Sequence, residues 1–212
     1  MKNILCFGDS NTWGGCQEGG KIIRFNARWT KLLAEKLGKN FNVIEEGLNG
    51  RTIDSHRPNK SSLVGYNHLE LLLETHIPVD LVIIMLGTND LFSYFSNSAK
   101  QVGEMLDKVI SKIKTHKYSV GTCPEILVIA PPKINAKSVV KVFDVDEFSE
   151  AKSIELEKEY KDIAKKNFCL YVSALDLKVG NDGLHLTVDS HKKLADKIYS
   201  RIKGIYDYEK EK

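Results

Sequence analysis

Asp80-Leu81-Val82-Ile83-Ile84-Met85-Leu86-Gly87-Thr88-Asn89-Asp90 places six apolar residues in an unbroken row and ends them at a glycine followed by polar groups. The row is far shorter than the ~20 residues a membrane-crossing helix needs. It suits a strand covered on both faces, as the strands of parallel sheets are. Working outward, short runs rich in Val, Ile and Leu recur at residues 3–7, 42–46, 126–130 and 169–172, so five strands are expected, with 81–86 the third. The segments between them have helical spacing. Trp29, Leu32, Leu33 and Leu37 recur at three- and four-residue steps before Gly38. Leu69, Leu72 and Leu73 precede a stop before Pro78, and Val102, Met105, Leu106, Val109, Ile110 and Ile113 mark a third helix. Residues 146–166 form a fourth, and Leu194, Ile198 and Ile202 a fifth that follows Thr187, a candidate N-cap. Strands alternating with helices are the mark of an α/β protein built on a parallel sheet. Residues 14–26 and 53–67 match no regular element, and loops of that length commonly shape a site.

The 212 residues suit one domain, expected over residues 1–205 with a polar tail at 206–212. The 42% hydrophobic and 28% charged content is that of a chain able to bury a core. A net charge of +3 with both signs interleaved argues against a nucleic-acid partner, which needs clustered Lys and Arg. Cys6, Cys16, Cys123 and Cys169 form no CxxC pair, so free buried thiols are expected rather than a metal or redox motif. The N-terminal apolar run is too short for a signal peptide, and a cytoplasmic protein with no membrane association is expected.

In a parallel α/β sheet ligands bind beyond the carboxyl ends of the strands. Four of the five following loops carry reactive or anion-binding groups: Gly8-Asp9-Ser10-Asn11-Thr12-Trp13-Gly14, Gly47-Leu48-Asn49-Gly50-Arg51-Thr52, Gly87-Thr88-Asn89-Asp90 and Asn181-Asp182-Gly183-Leu184-His185. The fifth, Pro131-Pro132-Lys133, is stiff and offers no catalyst. Acyl transfer needs a nucleophile, a base, a group that orients the base, and donors for the developing oxyanion. Ser10 supplies the hydroxyl, His185 the base, and Asp182 the carboxylate on the same turn. The backbone N–H groups of Ser10 and Gly50 and the side-chain amide of Asn89 are the expected oxyanion donors. Trp13, three residues after the nucleophile, is read as a substrate-binding wall.

These four blocks, in this order and across nearly the whole chain, resemble the SGNH (GDSL) hydrolases. The strings GDSNTWG, EEGLNGRT and DLVIIMLGTND are similar to the arylesterase/acyltransferase branch. The resemblance implies a flavodoxin-like three-layer α/β/α sandwich, a Ser-His-Asp triad and a homo-oligomer. One departure stands out: in the wider family an Asn often precedes the second block, where this chain has Glu45 and Glu46.

Each residue also has a plainer reading. Gly-Asp-Ser alone occurs by chance in roughly one protein of this size in twenty, so the ordered set of four blocks carries the argument. Ser10 could be a helix cap, Asp182 a turn residue and Asn89 a loop former. Asp9 is read as structural, Asp90 as the cap of a following helix, and His56, His68, His76, His116 and His191 as structural or surface histidines. Gly15, Gly20 and Lys21 match part of a phosphate-binding loop, but Ile22 stands where that motif needs Ser or Thr. The expectation is a cofactor-free, metal-free esterase acting on a small acyl ester. A carbohydrate deacetylase, a thioesterase or lysophospholipase, and a catalytically silent binding protein are the alternatives.

Overall fold

Along β1 (Lys2–Gly8) the side chains alternate between two cores, Ile4 and Cys6 facing one and Leu5 and Phe7 the other. This is the two-residue period of a strand buried on both faces. The computed structural model describes residues 1–18, 21–138 and 143–208. After β1 come a single helical turn α1 (Ser10–Trp13), a hairpin of β2 (Gly15–Glu18) and β3 (Lys21–Arg24), α2 (Trp29–Leu37) and β4 (Phe41–Gly47). A 3₁₀ turn at Ser61–Leu63 leads into α3 (Gly65–Thr75), followed by β5 (Leu81–Met85), α4 (Ala99–Thr115), β6 (Glu125–Ala130), α5 (Glu147–Lys166), β7 (Leu170–Ser173) and α6 (Val188–Tyr208).

The five expected strands form one sheet in the order β4-β1-β5-β6-β7, every neighbouring pair parallel. Trp29 and Leu33 of α2 and Leu194, Ile198 and Ile202 of α6 pack with Ile4, Cys6 and Ile83 on one face. On the other face, Leu69 and Leu73 of α3, Val102 and Leu106 of α4, and Leu156 and Tyr160 of α5 pack with Leu5, Phe7 and Ile84. The result is a three-layer α/β/α sandwich. Because the chain steps from β1 to β4 on one side and then crosses to β5 on the other, the sheet reverses its winding at β1. A crevice opens at the carboxyl end of such a switch point.

The structure departs from the sequence expectation in several places. Residues 14–26 hold a hairpin rather than a loop, its β2 and β3 antiparallel. α3 begins at Gly65, inside the stretch expected to be irregular, because Thr52 pairs with Val64 and its carbonyl accepts the Gly65 N–H at 2.9 Å. α6 runs on through Tyr208, and Tyr206, expected to start a polar tail, is buried against Phe41 with ring centroids 5.1 Å apart. The rest of that tail, 209–212, lies outside the described residues. Among the cysteines, Cys6 is buried as expected, Cys169 is half-buried and Cys123 is exposed; the Cys16 side chain lies outside the described ones. Among the described residues no helix is long and apolar enough to cross a membrane.

Candidate active site

β1 ends at Gly8, which lies in register with Gly47 of β4 and Met85 of β5, so the loops that follow all three strands leave the sheet at one level. Asp9 caps α1, its carboxylate accepting the Asn11 N–H at 2.9 Å, and this sets Ser10 at the start of the turn. The turn presses against the neighbouring strand end so closely that a Cβ on Gly47 would lie 2.2 Å from the Trp13 nitrogen. Only glycine fits there.

Asp182 and His185 belong to the segment between β7, at the far edge of the sheet, and α6. The backbone turns back on itself: Gly180 N–H donates to the His185 carbonyl at 2.7 Å and Gly183 N–H to the Gly180 carbonyl at 3.0 Å. The loop after β6, read from sequence as offering no catalyst, steadies this turn through the Asn135 N–H, which donates to the Gly183 carbonyl at 2.9 Å. Asn11 then joins the turn to the first strand. Its side-chain nitrogen donates to the Leu184 carbonyl at 3.1 Å, and its oxygen accepts the Leu186 N–H at 2.9 Å. Sequence reasoning missed Asn11, because a partner more than 170 residues away leaves no local signal.

Ser10, His185 and Asp182 thereby form one hydrogen-bonded chain, with Ser10 Oγ 2.9 Å from His185 Nε2 and His185 Nδ1 2.6 Å from Asp182 Oδ2. Asp182 Oδ1 accepts the N–H groups of Leu184 at 3.0 Å and His185 at 2.9 Å. Burial works to raise the pKa of Asp182, but the His185 ring and the two amides outweigh it and hold the carboxyl below its ordinary value. An ionised carboxylate only accepts, so the proton between them sits on Nδ1 and the Nε2 lone pair faces the serine hydroxyl. Phe143 stands edge-on to the His185 ring at 6.1 Å between centroids, a neighbour that no motif marks.

Gly50 has φ +77, a conformation that suits glycine, and its N–H has no backbone partner among the described residues. Asn89 lines a cleft with Gly50: one amide hydrogen goes to the Arg51 carbonyl at 2.9 Å, and the other has no partner among the described residues. Arg51 ties the strand ends together. Its guanidinium is buried over the Phe7 ring and donates to the carbonyls of Gly8, at 2.9 Å, and Glu46. Burial lowers its pKa. The cleft that Gly50 and Asn89 share, of about 90 Å³, also takes in Arg57, Lys60, Phe92 and Phe95.

Asp90 does not cap a following helix. Its buried carboxylate accepts the Ile53 N–H at 2.8 Å and the Ser55 hydroxyl at 2.7 Å, fixing the segment after Arg51. Burial raises its pKa to about 6 despite these bonds, and burial likewise raises Asp9 to about 6. Trp13 is half-buried with its ring 5.5 Å from the Arg24 guanidinium, and it is not among the residues lining the cleft. Glu45 anchors the same corner. It accepts from Arg24 at 2.6 Å, from Arg28 at 2.8 Å and from Thr30 at 2.7 Å, while Glu46 meets His76 at 2.9 Å. His191 lies buried behind the triad and accepts the Trp29 N–H at 3.3 Å; its burial pushes its pKa down to about 4 and keeps it neutral.

The model of the GDSL-like Lipase/Acylhydrolase family matches residues 6–193. No curated protein sequence matches the chain. Among solved structures, the aryl esterase of M. smegmatis is 35% identical with a TM-score of 0.82, covering 95% of this chain and 100% of its own. A carbohydrate acetylesterase from Sinorhizobium meliloti is 32% identical with a TM-score of 0.84, covering 97% of this chain and 100% of its own. A second structure from that organism, a carbohydrate acetylesterase family member, is 28% identical with a TM-score of 0.85 over 96% and 98%. A family match of that extent, over a fold shared end to end with such esterases, places the chain in the GDSL-like lipase/acylhydrolase family, as a serine ester hydrolase.

Proposed function

We propose that the protein removes short acyl groups from small esters through an acyl-enzyme on Ser10, and that an added alcohol can replace water as the acceptor. The observation that carries the reading is the unbroken chain from Ser10 Oγ through the His185 ring to Asp182, with contacts of 2.9 and 2.6 Å. His185 Nε2 takes the hydroxyl proton as Ser10 Oγ bonds to the carbonyl carbon. The proton then passes to the departing alkoxide, and the alcohol leaves. A second pass, with water as nucleophile and His185 again as base, frees the acid and restores the serine. Asp182 holds the imidazole in the needed tautomer and stabilises its charged form. The N–H groups of Ser10 and Gly50 and the free Asn89 amide hydrogen stabilise the oxyanion.

Ser10→Ala is expected to abolish both turnover of p-nitrophenyl acetate and labelling by a fluorophosphonate, with the thermal midpoint little changed. Wild-type turnover in that variant would refute the assignment. Activity is also expected to fall as solution is acidified from neutral pH, because imidazolium has no lone pair to offer the serine; kcat/KM against pH reads this directly.

One of the solved relatives is a carbohydrate acetylesterase and another a carbohydrate acetylesterase family member, which favours acetylated sugars as a second substrate class. Acetyl release from a peracetylated sugar, measured beside p-nitrophenyl acetate, separates the two. A homo-oligomer, implied by the arylesterase resemblance, belongs to the same proposal; sedimentation velocity tests it.

A further inference from the structure

The cleft that starts at Gly50 and Asn89 has an unusual charge balance. Arg57 and Lys60 both line it, and none of its lining residues is acidic. Asp54, the carboxylate closest along the chain, faces His56 at 3.5 Å and Lys108 at 3.8 Å, while Asp90 lies behind the lining with its carboxylate bonded to the Ile53 N–H and the Ser55 hydroxyl. Among the described residues neither Arg57 nor Lys60 has an ion-pair partner, and one terminal nitrogen of Arg57 is buried with no hydrogen-bond partner at all.

Arg57 is nevertheless held in place. Its guanidinium carbon lies 5.8, 5.0 and 5.2 Å from the ring centroids of Phe92, Tyr94 and Phe95. Aromatic rings hold the planar cation by its face and leave its N–H edges for a planar acceptor. A guanidinium always carries its charge and pairs with carboxylates through two parallel bonds. Arg57 lines the same cleft as Gly50 and Asn89, the groups proposed above to receive the oxyanion.

We infer that this cleft selects esters carrying a carboxylate a few atoms from the scissile bond, with the carbonyl oxygen at Gly50 and Asn89 and the carboxylate received by Arg57 and Lys60. The inference rests on the ester-hydrolase reading above and deepens it by naming a substrate class. Gly50, Asn89, Arg57 and Lys60 line one small cleft, so a carboxylate received by the two cations lies near the reacting carbonyl. The carboxylate can belong to the acyl group or to the alcohol, and the two placements call for different substrates.

The test compares matched esters. Monophenyl glutarate against phenyl pentanoate places the charge on the acyl side, and 4-acetoxybenzoate against 4-acetoxybenzamide places it on the alcohol side, each rate corrected for hydrolysis without enzyme. In one of these pairs the wild type is expected to favour the anion in kcat/KM by roughly tenfold or more, the scale of one charge-assisted hydrogen bond. That ratio is expected to fall toward one in Arg57→Gln and in Lys60→Gln, and to shrink as salt is added. The same loss of charge at Lys36, outside the cleft, leaves it unchanged. Because each variant is read as a ratio of two substrates, partial loss of folded protein cancels. A wild-type ratio of one or below in both pairs, or a preference that survives the double variant, overturns the inference. Turnover of the neutral esters would then still support the hydrolase reading, whereas no turnover of any ester removes both.

Discussion

Asn11 spends both ends of its amide on the backbone of Leu184 and Leu186, and those bonds hold the turn of Ser10 to that of His185. Asn11→Ala leaves a buried carbonyl and a buried N–H without partners, which costs about 1–3 kcal/mol. It is also expected to lower kcat more than it raises KM, because Ser10 and His185 lose their fixed separation. Asn11→Asp, which keeps the acceptor for Leu186 and loses the donor to Leu184, should recover part of kcat; equal kcat in wild type and Asn11→Ala would show that the bonds only stabilise. Asn89→Ala is expected to reduce kcat by ~10²–10³, the usual loss for one oxyanion donor. An undiminished kcat on p-nitrophenyl acetate would exclude that role. The hydrogen-bonded chain of Ser10, His185 and Asp182 and the shared cleft of Gly50 and Asn89 were legible as groupings, because acyl transfer demands particular groups and strand ends collect them. Asn11, Phe143 and Asn135 were not, because each acts by contact with a distant segment and has no chemical signature of its own.

The three central strands β1, β5 and β6 were legible almost residue by residue, because parallel strands buried on both faces read as short apolar runs; the edge strand β4 is only partly covered and was legible from Val43 and Ile44 despite Asn42, Glu45 and Glu46. The hairpin of residues 15–24 has no such pattern. It is fastened from outside: Arg24 donates to the Trp13 carbonyl at 2.8 Å, and Arg24 and Arg28 share the Glu45 carboxylate. The two arginines, with burial opposing them, hold Glu45 below its ordinary pKa. Glu45→Ala is therefore expected to leave the half-buried Arg28 without its anion, lower the stability by about 1–3 kcal/mol and expose the hairpin to protease. Equal cleavage rates in wild type and variant would show that the hairpin does not depend on this anchor. The start of α3 was hidden for a related reason, since it is set by backbone pairing with Thr52 and Ile53 across a loop rather than by any capping residue.

Over the whole molecule, the two buried acids at the heart of the site set a dependence of stability on pH. Asp9 and Asp90 each hold a pKa of about 6 in the fold against an ordinary value of 3.8. Between pH ~4 and ~6 the folded chain keeps protons that the unfolded chain has released. Their stabilising contribution is full below that window and lost as pH rises through it, a change of up to about 3 kcal/mol for each. Asp9→Asn, which retains an oxygen for the Asn11 N–H, should gain in thermal midpoint relative to wild type as pH is raised from 4 to 7. A gap that stays constant over that range would contradict the burial of charge. The clamp at Asn11 also has a consequence in time. The ribosome delivers Ser10 175 residues ahead of His185, so over that stretch of synthesis the growing polypeptide carries its hydroxyl with no imidazole to awaken it. Hydrolytic competence therefore waits until the stretch that carries His185 seats itself against Asn11 and the turn after β1.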